Sequence, residues 1–206
     1  MAARKPSIKG SVFSRVVEDV NKAIADGRVS RADLSRWLEP GDCDLLEERV
    51  ALSSWYDIRS YDRMNALLLE VEGEGDLDYF RQQGLATAKF LLKRGFYSQL
   101  EYLHRTEVSR QQDPQRRFEA FGRDIRLVAS LSAGILNFSV WTSKPDPDHP
   151  LRHLIEVSEA EDVSEALAHR SEGFINGMAT SHGTGRLWDY TRPRPDLVVY
   201  RMRRDA

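Results

Sequence analysis

The fold is decided by Leu136-Asn-Phe-Ser-Val-Trp-Thr-Ser143 and the four segments after it: Leu151 to Val157, Asp162 to His182, Leu187 to Thr191, and Leu197 to Arg203. In the first, Leu136, Phe138 and Val140 alternate with Asn137, Ser139 and Trp141, the period of a strand with one face toward a core. In the second, Leu151, His153, Ile155 and Val157 alternate with Arg152, Leu154 and Glu156. The connection Lys144-Pro-Asp-Pro-Asp-His-Pro150 is rich in turn formers, so the two should pair antiparallel. From Asp162 to His182 the period becomes helical, with Val163, Leu167, Phe174, Ile175 and Met178 three or four residues apart. Gly173 and Gly177 share nearly one face of that helix and allow close approach to whatever it covers, for which the sheet is the expected partner. Gly183 and Gly185 stop it. The chain then reads as a second hairpin turning at Arg192-Pro-Arg-Pro-Asp196, in which Val198, Tyr200 and Met202 alternate with Val199, Arg201 and Arg203.

Upstream, the pattern is helical. Val12, Phe13, Val16, Val17, Val20 and Ile24 form one stripe, with Ser11 placed to cap it and Gly27 to end it. Ser30 is placed to cap a short helix through Trp37 that Pro40-Gly41 ends, and Asp44 to Val50 reads as another turn or two. Further helices are expected over Asp57 to Val71, Leu77 to Arg94, and from Asp113-Pro114 to Leu131, the last with proline in its first turn and Phe118, Phe121 and Ile125 on one side. The fold class is therefore α+β: a helical half (about residues 11–131) followed by an antiparallel sheet (about residues 135–204) built as strand pair, helix, strand pair. With 206 residues, a single domain spanning 1–206 is expected.

Composition narrows the function. A hydrophobic content of 41% with 30% charged residues is that of a globular protein. No apolar run approaches the roughly 20 residues that cross a bilayer. The start, Met-Ala-Ala-Arg-Lys-Pro6, lacks the apolar segment of a signal peptide, and Cys43 is the single cysteine, so a cytoplasmic location is expected. A net charge of -2, from 30 basic and 32 acidic residues, argues against a nucleic-acid partner. Arg116, Arg117, Arg123 and Arg126 on one helix, and Arg201, Arg203 and Arg204 at the end, read as a solvated face and a protected edge.

No catalytic signature emerges. Gly183-Thr-Gly185 follows a helix and lacks the lysine of a phosphate loop, and Ser53-Ser54 lacks the glycines of a nucleophile elbow. His149, His153, His169 and His182 have no metal-binding spacing, so neither a metal nor a cofactor is expected from the residues themselves. His153 reads as a hydrogen-bonded core or interface residue.

Three short motifs, in order, suggest a family: Ile8-Lys-Gly-Ser-Val-Phe13, Trp55-Tyr56 before a helix, and Glu172-Gly-Phe-Ile-Asn-Gly177 before the last hairpin. They resemble the superfamily of heme-based nitric-oxide and oxygen sensing domains, 4-vinyl reductase domains and TRAPP transport-particle subunits, and most of all an uncharacterised bacterial family of about this length. The resemblance implies that heme-binding members take a histidine from the helix before the first sheet strands and a tyrosine, serine and arginine triplet from the next strand. Here the helix from Asp113 to Leu131 has no histidine and the strand has no triplet; His104, just upstream, is a candidate axial ligand only if heme is bound. The cysteines of zinc-binding relatives are absent from the final hairpin.

The function expected is a non-enzymatic sensory or scaffolding module for a small apolar ligand or a protein partner. Phe118, Phe121, Ile125, Phe174 and Met178 are the pocket candidates. Trp141 and Trp188 are the interface candidates should they be exposed. Pairing through helices, as the transport-particle subunits do, makes a homodimer a reasonable state. The alternatives are an enzyme acting on a tetrapyrrole or other hydrophobic substrate, and a heme-based gas sensor.

Overall fold

The structure, a computed structural model, describes residues 5–93, 113–132, 134–180 and 186–205. It is α+β, with helices first and a four-stranded antiparallel sheet after them. A short strand β1 (Ser7–Lys9) runs directly into α1 (Gly10–Ala25), and a 3-10 helix (Arg31–Arg36) precedes α2 (Pro40–Glu47). Strand β2 (Trp55–Asp57) leads straight into α3 (Ile58–Val71), and α4 (Asp78–Lys93) follows. The second half comprises α5 (Pro114–Ser132), β3 (Val140–Pro145), β4 (His153–Ser158), α6 (Glu165–Thr180), β5 (Trp188–Arg194) and β6 (Leu197–Met202).

The apolar stripe of α1 buries Phe13, Val16, Val17, Val20 and Ala23, a spacing that keeps all of them on one side of a 3.6-residue helix. The helix ends where Gly27 takes φ 71°, a conformation open to glycine, and the amide of Arg28 closes on the carbonyl of Ala23 at 2.9 Å. Ser11 does not cap this helix. The N-cap position is Lys9, because β1 feeds the helix without a turn, and it has no side-chain cap. Ser30 does cap the 3-10 helix, accepting from the Asp33 amide at 3.3 Å. Pro40 opens α2 rather than ending its predecessor, as its missing N–H and fixed φ suit a first helical turn. Asp57 caps α3 by accepting from the Arg59 amide at 3.0 Å.

The sheet order is β3-β4-β6-β5, so the two hairpins join through β4 and β6 and α6 crosses between them. His153, Ile155 and Val157 face the core from β4, as their alternation indicates, with Val198, Tyr200 and Met202 from β6 and Trp188 from β5. Strand β3 differs from its reading. It starts at Val140, pairs Trp141 with Val157, and leaves Val140 45% exposed. The apolar set Leu136, Phe138 and Val140 is therefore not its buried face. Leu136 instead bridges to Ile8 of β1, which ties the N-terminus to the sheet half.

The sheet's outer side is covered by ion pairs between neighbouring strands and the adjacent turns, including Lys144–Glu156 at 2.7 Å, Arg201–Asp148 at 2.9 Å and Arg203–Asp189 at 2.5 Å. Exposed pairs of this kind each contribute about 0–1 kcal/mol.

The face of α6 bearing Gly173 and Gly177 packs on α4, not on the sheet. A Cβ on Gly173 would lie 2.0 Å from the Arg81 carbonyl oxygen, and one on Gly84 of α4 would lie 2.0 Å from that of Arg170. The two helix backbones touch where each lacks a side chain. The opposite side of α6 meets the sheet, where the buried Tyr200 hydroxyl donates to the Ala168 carbonyl at 3.1 Å.

Candidate functional site

The interior of the sheet half begins with the inward side of α5. Phe121, Ile125 and Ala129 are buried there, at the three- and four-residue spacing that turns them to one side. Phe121 stacks on Trp188 of β5 with ring centroids 6.3 Å apart. Phe118 stacks on His153 of β4 at 4.1 Å and 14°. The His153 Nε2 lies 3.0 Å from the Phe118 carbonyl oxygen. A carbonyl only accepts, so Nε2 carries the proton. Burial pushes the His153 pKa below its ordinary value. The ring occupies the place of a missing side chain, since a Cβ on Gly122 would lie 2.5 Å from its Cε1.

The pocket candidates do not converge on one space. Phe118, Phe121 and Ile125 pack toward His153 and Trp188, whereas Phe174 and Met178 gather with Ala88 and Leu92 in a separate cluster between α6 and α4. The periodicity of α6 placed Phe174 and Met178 correctly on an apolar face, but not which neighbour that face meets. Trp188 is 1% exposed and belongs to the core, so it is no surface residue. Trp141 is partly buried, stacked on Tyr200 at 5.9 Å, and its indole N–H donates to the Ser139 hydroxyl at 3.1 Å. His104 and His182 lie outside the described residues.

Sequence reasoning missed two buried polar clusters. In the first, Glu172 of α6 is fully buried and receives Arg81 Nε at 2.6 Å and Arg186 Nη2 at 2.8 Å, with His169 Nδ1 at 3.3 Å. Burial alone would raise its carboxyl, but hydrogen bonds from His169, Arg81 and Arg186 outweigh this and hold the pKa at about 2. One turn on, Asn176 accepts from the Leu187 and Trp188 amides at 2.7 and 2.8 Å and donates to the Glu172 and Trp188 carbonyls at 3.0 and 2.9 Å. It pins the start of β5 to α6. In the second cluster, the buried Arg170 guanidinium lies 3.9 Å from Asp19 of α1 and 5.5 Å from the ring of Phe80. Its Nε and Nη2, and the Asp19 Oδ2, have no hydrogen-bond partner among the described residues. On α3, Asp62 is pushed up to about 6 by burial, with Asp162 and Asp57 adding to the effect against a hydrogen bond from Ser164. The one available signal was an isolated glycine inside a helical pattern, Gly84 or Gly122, which marks a close packing contact.

The residues that would hold heme, as the resemblance implies, fall on α5 and β3. The helix before the first sheet strand is α5, which carries no histidine, and β3 reads Val140-Trp-Thr-Ser-Lys-Pro145 without the triplet. His153 has its Nε2 proton engaged on α5, and His169 is held between Glu172 and Glu165, 3.3 and 3.6 Å away. The described residues do not fit heme as the resembled sensors hold it. Among the described residues no group of three or more histidine, cysteine or acidic side chains is arranged to hold a metal ion, and no helix is long and apolar enough to cross a membrane.

The sequence matches no protein-family model. A search of curated proteins finds no relative either. Solved structures do share the fold. The chain is similar to the Fe(II) unliganded H-NOX protein from K. algicida, with a TM-score of 0.58, 10% identity and 95% of each chain covered. A single-substitution mutant of that protein gives 0.57 and 12%, again over 95% of each chain. An H-NOX protein from S. oneidensis in the Fe(II)NO ligation state gives 0.51 and 13%, over 95% of this chain and 98% of that one. At these identities the likeness is one of fold.

Proposed function

We propose that residues 1–206 act as one unit, a sensory domain that answers to a small ligand. The observation that supports it is the likeness, over 95% of the chain, to heme nitric-oxide/oxygen-binding proteins, one of them with Fe(II)NO. Of the readings open at the level of sequence, this favours the gas sensor over the protein scaffold and over the tetrapyrrole enzyme. Fold alone does not carry function, so the site has to decide the ligand.

The site separates two versions of the sensor. In the heme version His104, the candidate the resemblance left open, would hold the iron, since α5 carries no histidine. Heme would supply the iron that binds the gas. The protein's own part would be to enclose the group and keep water out. In the other version the ligand is a small apolar molecule.

Hemin added to the purified full chain, followed by reduction and nitric oxide, tests this. A Soret band that shifts with nitric oxide and is lost in His104→Ala establishes the heme sensor. A band that His104→Ala leaves unchanged removes that assignment. No band, together with no small molecule retained by the protein through native mass spectrometry, overturns the sensor reading altogether.

A further inference from the structure

We infer that His153 is an imidazole clamp, seated in the notch left by Gly122, that fixes α5 to the sheet. Four features of the contact carry this. The ring is 2% exposed, on a central strand of the sheet. Its Nε2 is 3.0 Å from a main-chain oxygen of α5, which obliges that nitrogen to carry a proton. One face of the ring is covered by Phe118 at 4.1 Å, and Phe121 tilts against it at 6.3 Å. Finally, the positions a Cβ on Gly122 would take lie 2.5 Å from Cε1 and 2.8 Å from Nε2, so glycine is required for the ring to reach the helix backbone.

Glycine in a helix interior costs roughly 0.5–1 kcal/mol relative to alanine. At Gly122 that cost is offset by a hydrogen bond that joins two elements thirty-five positions apart in sequence. Strand β4 is in turn held to β6, where the His153 amide lies 3.1 Å from the Met202 sulfur. The clamp thus ties α5 to the strand pair at the centre of the sheet. In a sensor of this fold, a displacement of α5 relative to the sheet must first withdraw the ring from its notch. That last consequence rests on the sensory reading; the clamp itself does not.

Two measurements test the clamp on the full chain without any ligand. Nitrogen-15 NMR of the histidine rings is expected to show His153 protonated at Nε2 alone and titrating below an ordinary histidine. The charged group facing it is Arg126 of α5, the main chain of Phe118 supplies its polar contact, and its Nδ1 has no hydrogen-bond partner among the described residues. A ring protonated at Nδ1, or one titrating as a free histidine does, would overturn the proposal. Gly122→Ala is expected to destabilise the protein because its methyl meets the ring. Adding His153→Ala should relieve that clash, giving at least a fivefold departure from additivity in the unfolding constant. Additive losses would contradict the notch. Both measurements are made without ligand, so their failure is distinct from a failure of the sensory reading.

Discussion

The Nε of Arg81 lies 2.6 Å from the Oε2 of Glu172, joining α4 to α6 across ninety-one positions of sequence. The same two helices touch backbone to backbone at Gly84 and Gly173, so the ion pair sits beside a close helix approach. A buried carboxylate with two arginines and a histidine on it is a positioning device, and its loss should be felt in stability. Glu172→Gln is expected to cost about 1–3 kcal/mol in urea unfolding at neutral pH, since the arginines keep partial access to water while the buried amide loses charge-assisted bonds.

Acid should act through the same group. The pKa of Glu172 is about 2 in the fold against an ordinary 4.5, so its contribution is complete above 4.5 and drains away as pH falls toward 2. A stability profile between pH 5 and 2 should be flatter in Glu172→Gln than in the wild type. Equal slopes would show that the carboxylate is not held as the geometry indicates.

Asp62 should act with the opposite sign. Its pKa is raised from 3.8 to about 6, so the folded protein holds this proton more tightly and loses stability as pH rises from 3.8 through 6. Asp62→Asn is expected to stabilise the protein by about 1–3 kcal/mol at pH 7 and to be near neutral at pH 4, measured by thermal or urea unfolding. A destabilised variant at pH 7 would contradict the assignment.

The helix crossing makes a sharper steric prediction. Gly84→Ala would place a methyl 2.0 Å from the Arg170 oxygen and 2.7 Å from the Phe174 nitrogen, both main-chain atoms that cannot turn aside. The expected loss is about 1–3 kcal/mol or more, the range for overpacking. Gly41→Ala is the control. Nothing lies within 4 Å of its Cβ, and the change should be neutral or stabilising by up to roughly 1 kcal/mol.

Arg170 is buried and Asp19, which also pairs with Arg15 at 3.6 Å, is half-buried, and the two charges should be coupled. Asp19→Ala strands the guanidinium and is expected to cost about 3–5 kcal/mol, whereas Asp19→Asn combined with Arg170→Met should recover most of that loss. Urea unfolding of the three proteins decides it, and a double variant as unstable as Asp19→Ala would show that the charges are not coupled.

Much of the architecture was legible because it is periodic. The α1 stripe, the alternation of β4 and β6, and the order of elements follow from which residues need to leave water, and that is written locally. The three motifs were legible too, though not what joins them. Ile8 stands opposite Tyr56 and Lys9 opposite Trp55 in one antiparallel ladder, the Lys9 ammonium lies 4.5 Å over the Trp55 ring, and Phe13 stacks on Tyr56 at 4.6 Å. Two motifs far apart in sequence are one small structure. What sequence did not carry was the choice of partner. The glycines of α6 permit close approach to any surface, and whether that surface is α4 or the sheet depends on the whole topology. The buried Glu172, Asn176 and Arg170 were invisible for the same reason, because a charged residue in a helix reads as solvated until its neighbours are known. For the candidate site, the apolar residues were legible as core, but the division between the α5 cluster and the α4–α6 cluster was not.

The sensory reading stands or falls most directly on a native mass spectrum of the full chain, purified from the cells that make it, with an absorbance spectrum of the same sample. The expected result is a mass in excess of one chain, or of a clean dimer, by a single small molecule. A bare mass with no chromophore would contradict it.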